Sequence, residues 1–217
     1  MIAQIVLFEG FDPLDVIAPF EVLSAGSDAL GGSIDVRLVG IDAAGPVTSG
    51  TRGLQLTASH VLDPEAPGVV IVPGASGPVS GDPDEERTIP VILAGLAETG
   101  LPDRVRRAFA ARDTIVATVC GGGLALAMAG LLEGRTAVTH TMGNDVLEAT
   151  GMTVVRARVV DDGDLVTAGG VTSGLDLALY LLEREHGPRI AHAVEQLFEY
   201  ERRGTVWSAR GAEPLPA

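Results

Sequence analysis

Lysine is absent from the 217-residue chain: all 15 basic residues are arginine, against 29 acidic ones, for a net charge of −14. Without an ε-amine there is no Schiff base, no internal aldimine for pyridoxal phosphate and no phosphate-loop lysine. Scattered arginines in so acidic a chain make no cationic patch for nucleic acid or an anionic membrane, so neither is an expected partner. No apolar run reaches the roughly 18 residues that span a bilayer. The amino terminus, MIAQIVLFEGFD, has neither the basic start nor the cleavage site of a signal peptide, and a cytoplasmic location is expected. A single cysteine, Cys120, excludes an intramolecular disulfide and a thiolate metal cluster, leaving it as inert packing or a reactive thiol. His60, His186 and His192 show no i,i+4 pairing, so no metal site is expected.

What is present is an aliphatic core. Hydrophobic residues make up 46% of the chain and aromatics only 4%, which suits one large domain. Short β-branched runs alternate with helical patterns, predicting an α/β fold with a mostly parallel sheet and helices on both faces. Strands are predicted over residues 4–8, 34–41, 69–72, 114–119, 136–139 and 165–167. Helices are predicted over 14–24, 89–98, 103–111, 122–131, 171–186 and 191–200. Residues 46–57 and 153–167 carry turn signals between short apolar stretches and read as hairpins added to the main sheet. Residues 77–88 read as a polar loop, and the domain is expected to span 1–204, followed by a frayed tail over 205–217.

The most informative segment is TIVATVCGGGLALAMAGLLEG, where an apolar strand runs into Cys120, three glycines and an Ala/Leu-rich helix. A strand–nucleophile–helix turn holds its nucleophile in strained backbone geometry. The helix amino terminus favours thiolate over thiol, so Cys120 is expected to be ionised at neutral pH. The alternative reading of CGGG, a phosphate cradle, lacks a full glycine-rich fingerprint. A second strand end, VVIVPGASG, offers Gly74 or Ala75 N–H to join Gly121 N–H in an oxyanion hole.

Asp15, in FEGFDPLDVIAPFEVL, falls just past the first strand and reads either as a proton carrier beside the thiol or as a helix cap, a role for which Asp12 competes. His140 ends a predicted strand and reads as a base for Cys120, or as a pocket-lining or interface histidine. Asp176 reads as structural, in a helix that Thr172 or Ser173 can cap.

In order along the chain, LFEGFDPLDVIAPFEVL, VIVPGASG, ATVCGGGLALAMAGLLEGRTAVTH and DLVTAGGVTSGLDLALYLLE resemble the DJ-1/PfpI superfamily, and within it the isonitrile (isocyanide) hydratase branch, over about residues 2–200. The resemblance implies a flavodoxin-like three-layer sandwich related to class I glutamine amidotransferases. It also implies a homodimeric, cofactor-independent enzyme, a lyase that hydrates a small isonitrile to an N-substituted formamide. Cys120 then matches the nucleophile, Asp15 the acid that hydrogen-bonds the thiolate, and Gly74 or Ala75 with Gly121 the oxyanion amides. Alternatives known in the superfamily are glyoxalase III-like hydration of a 2-oxoaldehyde such as methylglyoxal, and a non-enzymatic cysteine redox or ligand sensor. The domain is also fused to AraC-type regulators, but no helix-turn-helix segment is expected after Trp207. Three positions depart from the hydratase pattern. Gly121 stands where Thr is usual, Ala18 precedes the proline where Gly is usual, and Val138-Thr139-His140-Thr141 replaces T-T-H-W. Gly121 is expected to remove a hydroxyl donor and to open volume beside the sulfur.

Overall fold

The first strand, β1 (Ile2–Leu7), is apolar without alternation and lies almost wholly buried, as a strand covered on both faces requires. In the computed structural model, which describes residues 1–82 and 87–212, it pairs in parallel with β2 (Asp35–Gly40) on one side and β6 (Gly68–Val72) on the other. After β2 come β3 (Gly45–Thr48), β4 (Gln55–Ala58) and β5 (His60–Val61). The later strands are β7 (Thr114–Val119), β8 (Thr136–Ala137), β9 (Thr153–Val154), β10 (Val159–Asp161), β11 (Leu165–Ala168) and β12 (Trp207–Ser208). The main sheet runs β12-β10-β11-β7-β6-β1-β2-β5. It is parallel except where β10 meets β11. Helices α1 (Pro13–Ala29), α6 (Ser173–His186) and α7 (Pro188–Phe198) pack together as one layer. A second helical group joins α2 (Ile89–Gly95), α3 (Leu101–Ala110) and α4 (Gly122–Met128), with α5 (Asn144–Ala149) beside α4. The chain is thus the expected three-layer α/β sandwich with a mostly parallel sheet. Leu182 of α6 presses onto Gly26 of α1, where a Cβ would collide with it, so glycine lets the two helices meet closely.

Several local expectations are corrected. Residues 45–58 do form a hairpin, but as a separate two-stranded sheet rather than an extension of the main one. The strand expected over 136–139 shrinks to β8, which pairs with β9 outside the main sheet. The hairpin expected over 153–167 is confined to β10 and β11, turning at Asp162-Gly163. Within the expected tail, β12 adds a parallel edge strand to β10. Residues 83–86 of the expected polar loop and 213–217 of the tail lie outside the described residues. No described helix is long and apolar enough to cross a membrane.

The topology places the site. From β1 the chain builds one half of the sheet toward β5, and then returns to the other side of β1 to place β6 and β7. In open parallel sheets the crevice for chemistry lies at the carboxyl ends of the strands where the order reverses. The ends of β1, β6 and β7 meet there, and they lead into Asp15, Gly74 and Cys120.

Candidate active site

Cys120 follows directly on β7 and has φ of 54°, a left-handed conformation that costs a non-glycine residue of the order of 1 kcal/mol or more. Its backbone is held from both sides. The Cys120 N–H donates to the carbonyls of Ala168 (3.1 Å) and Gly169 (3.0 Å), and the buried Thr139 hydroxyl donates to the Cys120 carbonyl at 2.6 Å. The three glycines that follow answer three close approaches. A Cβ on Gly121 would lie 2.7 Å from Leu93 Cδ1, one on Gly122 would strike the Val72 carbonyl, and one on Gly123 would lie 3.1 Å from Thr118 Oγ1. The run is needed for packing the turn between β6, β7 and α2, which removes the reason to read it as a phosphate cradle.

Asp12 wins the competition for the cap: its Oδ1 accepts the Leu14 N–H at 2.9 Å. Asp15, the third residue of α1, is therefore free to turn inward, where it is completely buried. Asp15 Oδ2 accepts the Gly74 N–H at 3.0 Å, Oδ1 is buried without a hydrogen-bond partner, and the carboxyl group is electrostatically coupled to Cys120. Gly74 itself admits no side chain, because a Cβ there would lie 2.7 Å from Gly121 N and 2.8 Å from Asp15 Oδ2. Gly74→Ala is expected to cost about 1–3 kcal/mol through overpacking, read as a lower melting temperature; an unchanged melting temperature would show that the turn relaxes freely.

The expected oxyanion amides differ in how they are engaged. Gly74 N–H is held by Asp15, whereas the antiparallel bridge between Phe11 and Ala75 is closed by Asp12 N–H on the Gly74 carbonyl and Ser76 N–H on the Gly10 carbonyl and does not use the Ala75 N–H. The amides that hydrogen-bond the sulfur are those of Gly121 and Val171. Val171 was not legible as a site residue; the predicted helix began there, whereas the observed one begins at Ser173 and leaves Val171 in the turn after β11 at φ 26°, a rare conformation for a β-branched side chain. The glycine pair before it, Gly169-Gly170, was the available signal for a tight turn.

The electrostatics correct a second expectation. Burial, and then the Asp12 charge, push the Asp15 carboxyl up to about 8 against the opposing pull of Gly74 and Cys120. Burial, and then Asp15, push the Cys120 thiol up to about 12, although the Val171 and Gly121 amides pull the other way. A helix amino terminus does not by itself ionise this thiol, because desolvation outweighs two amide donors. At pH 7 the carboxyl holds a proton, and the two groups titrate as a pair.

His140 stands apart. Its Nδ1 accepts the Met142 N–H at 3.2 Å, so the neutral ring carries its proton on Nε2 and presents a donor rather than a base. The ring packs against Gly170 and lines a cavity of about 820 Å³ that has Gly169, Gly170 and Val171 in its wall. The sulfur itself is not in that wall, and Cys120 is only 9% exposed. Asp176 is structural, as expected, but not through a capped helix. The Thr172 hydroxyl accepts from Arg158 Nη2 at 3.0 Å instead of capping α6, and Asp176 accepts from Arg158 Nε at 2.7 Å. Among the described residues no group of three His, Cys, Asp or Glu side chains is placed to hold a metal ion.

An open α/β sheet with a strained cysteine at a strand–helix elbow, faced by a buried carboxyl from the first helix, defines a cysteine-elbow α/β protein. The DJ-1/PfpI family model matches residues 95–184. The chain is 37% identical over 196 residues to an isonitrile hydratase of Pseudomonas putida, covering 89% of this chain and 76% of that protein. It is 28% identical over 192 residues to the protein DJ-1 homolog A of Arabidopsis thaliana, covering 87% of this chain and 44% of that one. A crystal structure of a ThiJ/PfpI family protein from Pseudomonas syringae superposes with a TM-score of 0.76 at 24% identity, over 94% of this chain and 76% of that one. The chain belongs to the DJ-1/PfpI family.

Proposed function

We propose that this protein is a cysteine-dependent isonitrile hydratase that needs no cofactor. The observation that carries the reading is the buried Asp15–Cys120 pair, in a chain 37% identical to an isonitrile hydratase over 89% of its length. An isonitrile carbon is attacked by sulfur and takes up a proton at the same atom, so the site must hold a nucleophile and a proton together. The pair does so. Cys120 Sγ forms a bond to the terminal carbon, and the Asp15 carboxyl transfers its proton to that carbon, giving a thioimidate. The thiol proton is taken up by the carboxylate thus formed. Water then adds to the thioimidate carbon as the nitrogen is protonated, and collapse of the tetrahedral adduct breaks the C–S bond, releasing an N-substituted formamide and restoring the thiol. The Gly121 and Val171 amides stabilise negative charge on sulfur as it attacks and as it leaves.

The two alternatives are weighed on the same geometry. A redox sensor needs an accessible, low-pKa thiol, and Cys120 is buried and its thiol raised. A 2-oxoaldehyde offers a carbonyl to the same sulfur and is separated by assay. Purified protein is expected to convert p-nitrophenyl isonitrile to the formamide and to leave methylglyoxal largely unchanged. Consumption of methylglyoxal through Cys120 with no isonitrile hydration would replace the hydratase reading. From the family resemblance the enzyme works as a homodimer on a small-molecule substrate, and light scattering gives the mass that checks it.

A further inference from the structure

A Cβ on Gly121 would lie 2.7 Å from Leu93 Cδ1, so glycine there does not open the volume expected of it. Room for a substituent lies instead on the side of α6, in the cavity of about 820 Å³. Three residues of its wall touch the elbow. Gly169 accepts the Cys120 N–H at 3.0 Å, Thr139 donates to the Cys120 carbonyl at 2.6 Å, and Val171 turns its amide to the sulfur. The cavity is thus walled in part by the nucleophile's own hydrogen-bond partners.

Two backbone anchors set Arg156 on the same wall. The antiparallel register of β10 and β11 continues to Arg158, whose carbonyl accepts the Gly169 N–H at 3.0 Å, and the Val155 N–H donates to the Ala137 carbonyl at 3.0 Å. Residue 156 is held between these anchors, beside the segment that leads to His140 and the turn that leads to Val171. The Arg158 guanidinium, also in the wall, is neutralised by Asp176. Arg156 is exposed and makes no ion pair or hydrogen bond among the described residues. Asp145, in the first turn of α5, stands on this wall too and does not pair with it. Two further donors lack an acceptor among the described residues. His140 carries its proton on Nε2, and the side-chain amide of Asn144, a residue 8% exposed with its Oδ1 buried and unpartnered, is bonded to nothing. A guanidinium fork, an imidazole N–H and a carboxamide NH₂ around one cavity match the oxygens of a carboxylate. We propose that this cavity binds a carboxylate carried on the substituent of the isonitrile, with Arg156 as counter-ion and His140 and Asn144 as donors, so that the preferred substrates are isocyano acids. The proposal rests on the hydratase reading for the reacting group, not for the carboxylate.

The test uses the full chain as wild type, Arg156→Gln, Arg156→Lys and Arg156→Glu, with isocyanoacetate, 4-isocyanobutanoate and the methyl ester of each. Arg156→Gln is expected to lower the ratio of kcat/KM for acid over ester at least tenfold for the acid whose length fits, the ordinary effect of losing a charge-assisted hydrogen bond. The loss should fall on KM more than on kcat. Arg156→Lys, which keeps the charge without the fork, should give an intermediate ratio, and Arg156→Glu should lower it beyond the glutamine variant. Acid and ester share the reacting group, so a general loss of stability or of elbow activity cancels in the ratio. Cys120 is the single cysteine, so the same variants are also alkylated at pH 8 with 3-maleimidopropanoate and with its methyl ester. The acid-over-ester rate ratio should fall at least threefold in Arg156→Gln. If no isonitrile is hydrated but the maleimide ratio falls threefold or more, the hydratase reading fails and the carboxylate site stands. If isonitriles are hydrated and the acid-over-ester ratio shifts by less than threefold at both lengths, the proposal is overturned and the hydratase reading stands. If no isonitrile is hydrated and the maleimide ratio shifts by less than threefold, both fall. Should Arg156→Gln not fold, Arg156→Met carries the same comparison.

Discussion

Asp15→Asn is expected to melt higher than the wild type and to turn over at least a hundred times more slowly. The kinetic half follows from losing a positioned proton donor, an effect that typically amounts to 10²–10⁴-fold. The stability half follows from burial. A carboxyl raised to about 8 from an ordinary value of 3.8 holds a proton in the folded chain that the unfolded chain gives up over most of that interval. The folded state then binds more protons than the unfolded one, so stability falls as pH rises from about 4 to 8. Below that window the penalty is absent; above it the penalty is complete. At pH 7 it is of the order of 4 kcal/mol, and asparagine, which cannot ionise but can still accept the Gly74 N–H, escapes it. The difference in melting temperature between variant and wild type should therefore widen between pH 5 and pH 8. A third readout separates proton delivery from mere packing. Ionised Asp15 raises the Cys120 thiol, so at pH 9 iodoacetamide should alkylate Cys120 faster in the asparagine variant. Slower alkylation together with slower turnover would mean that the carboxyl only organises the elbow.

The second large effect is expected in the first turn of α6, five residues after Val171. Asp176 is 2% exposed and accepts from Arg158, from the Tyr200 hydroxyl at 3.1 Å and from the Arg203 N–H at 2.9 Å. It thus fastens residues 200–203, and β12 behind them, to the body of the protein. Asp176→Ala leaves the Arg158 charge and several donors without their acceptor, a loss of about 3 kcal/mol, or about 10 °C in melting temperature for a chain of this size. Trypsin offers a local readout, because Arg202 and Arg203 lie in the strap that Asp176 holds. Cleavage there should accelerate well before global unfolding. Wild-type resistance to trypsin in the variant would assign the fastening to the Arg202 ion pairs with Glu183 and Glu195 instead.

How much of this was legible in the sequence depends on whether a residue announces itself through local pattern. Cys120, Asp15 and Gly74 each follow an apolar run, and strand ends converge in a parallel sheet, so all three could be placed at one edge before any geometry was known. The division of labour among them was not legible. Which amide faces the sulfur is decided by backbone angles at Val171, a residue whose side-chain type argues against the conformation it adopts. The ionisation of the thiol was misread because a helix amino terminus is visible in sequence whereas desolvation is a property of the whole fold. Gly121 was read as empty space for the same reason: nothing near it in the chain signals that Leu93, from a different helix, occupies the place. His140 was read as ending a strand, but β8 stops at Ala137, and the histidine's commitment to the Met142 amide is a local turn that spacing alone does not reveal.

The pairing of β12 with β10 bears on how the protein is made. A chain leaving the ribosome completes β10 and β11 long before Trp207 emerges, and until then one flank of β10 has no partner. An unpaired strand edge is a template for association with other chains. The antiparallel hairpin at that flank is short, three residues in β10, which limits how much edge it offers in the interval. The border of the sheet beside β10 is thus closed by Trp207 and Ser208, behind a segment that Asp176 holds through Tyr200 and Arg203.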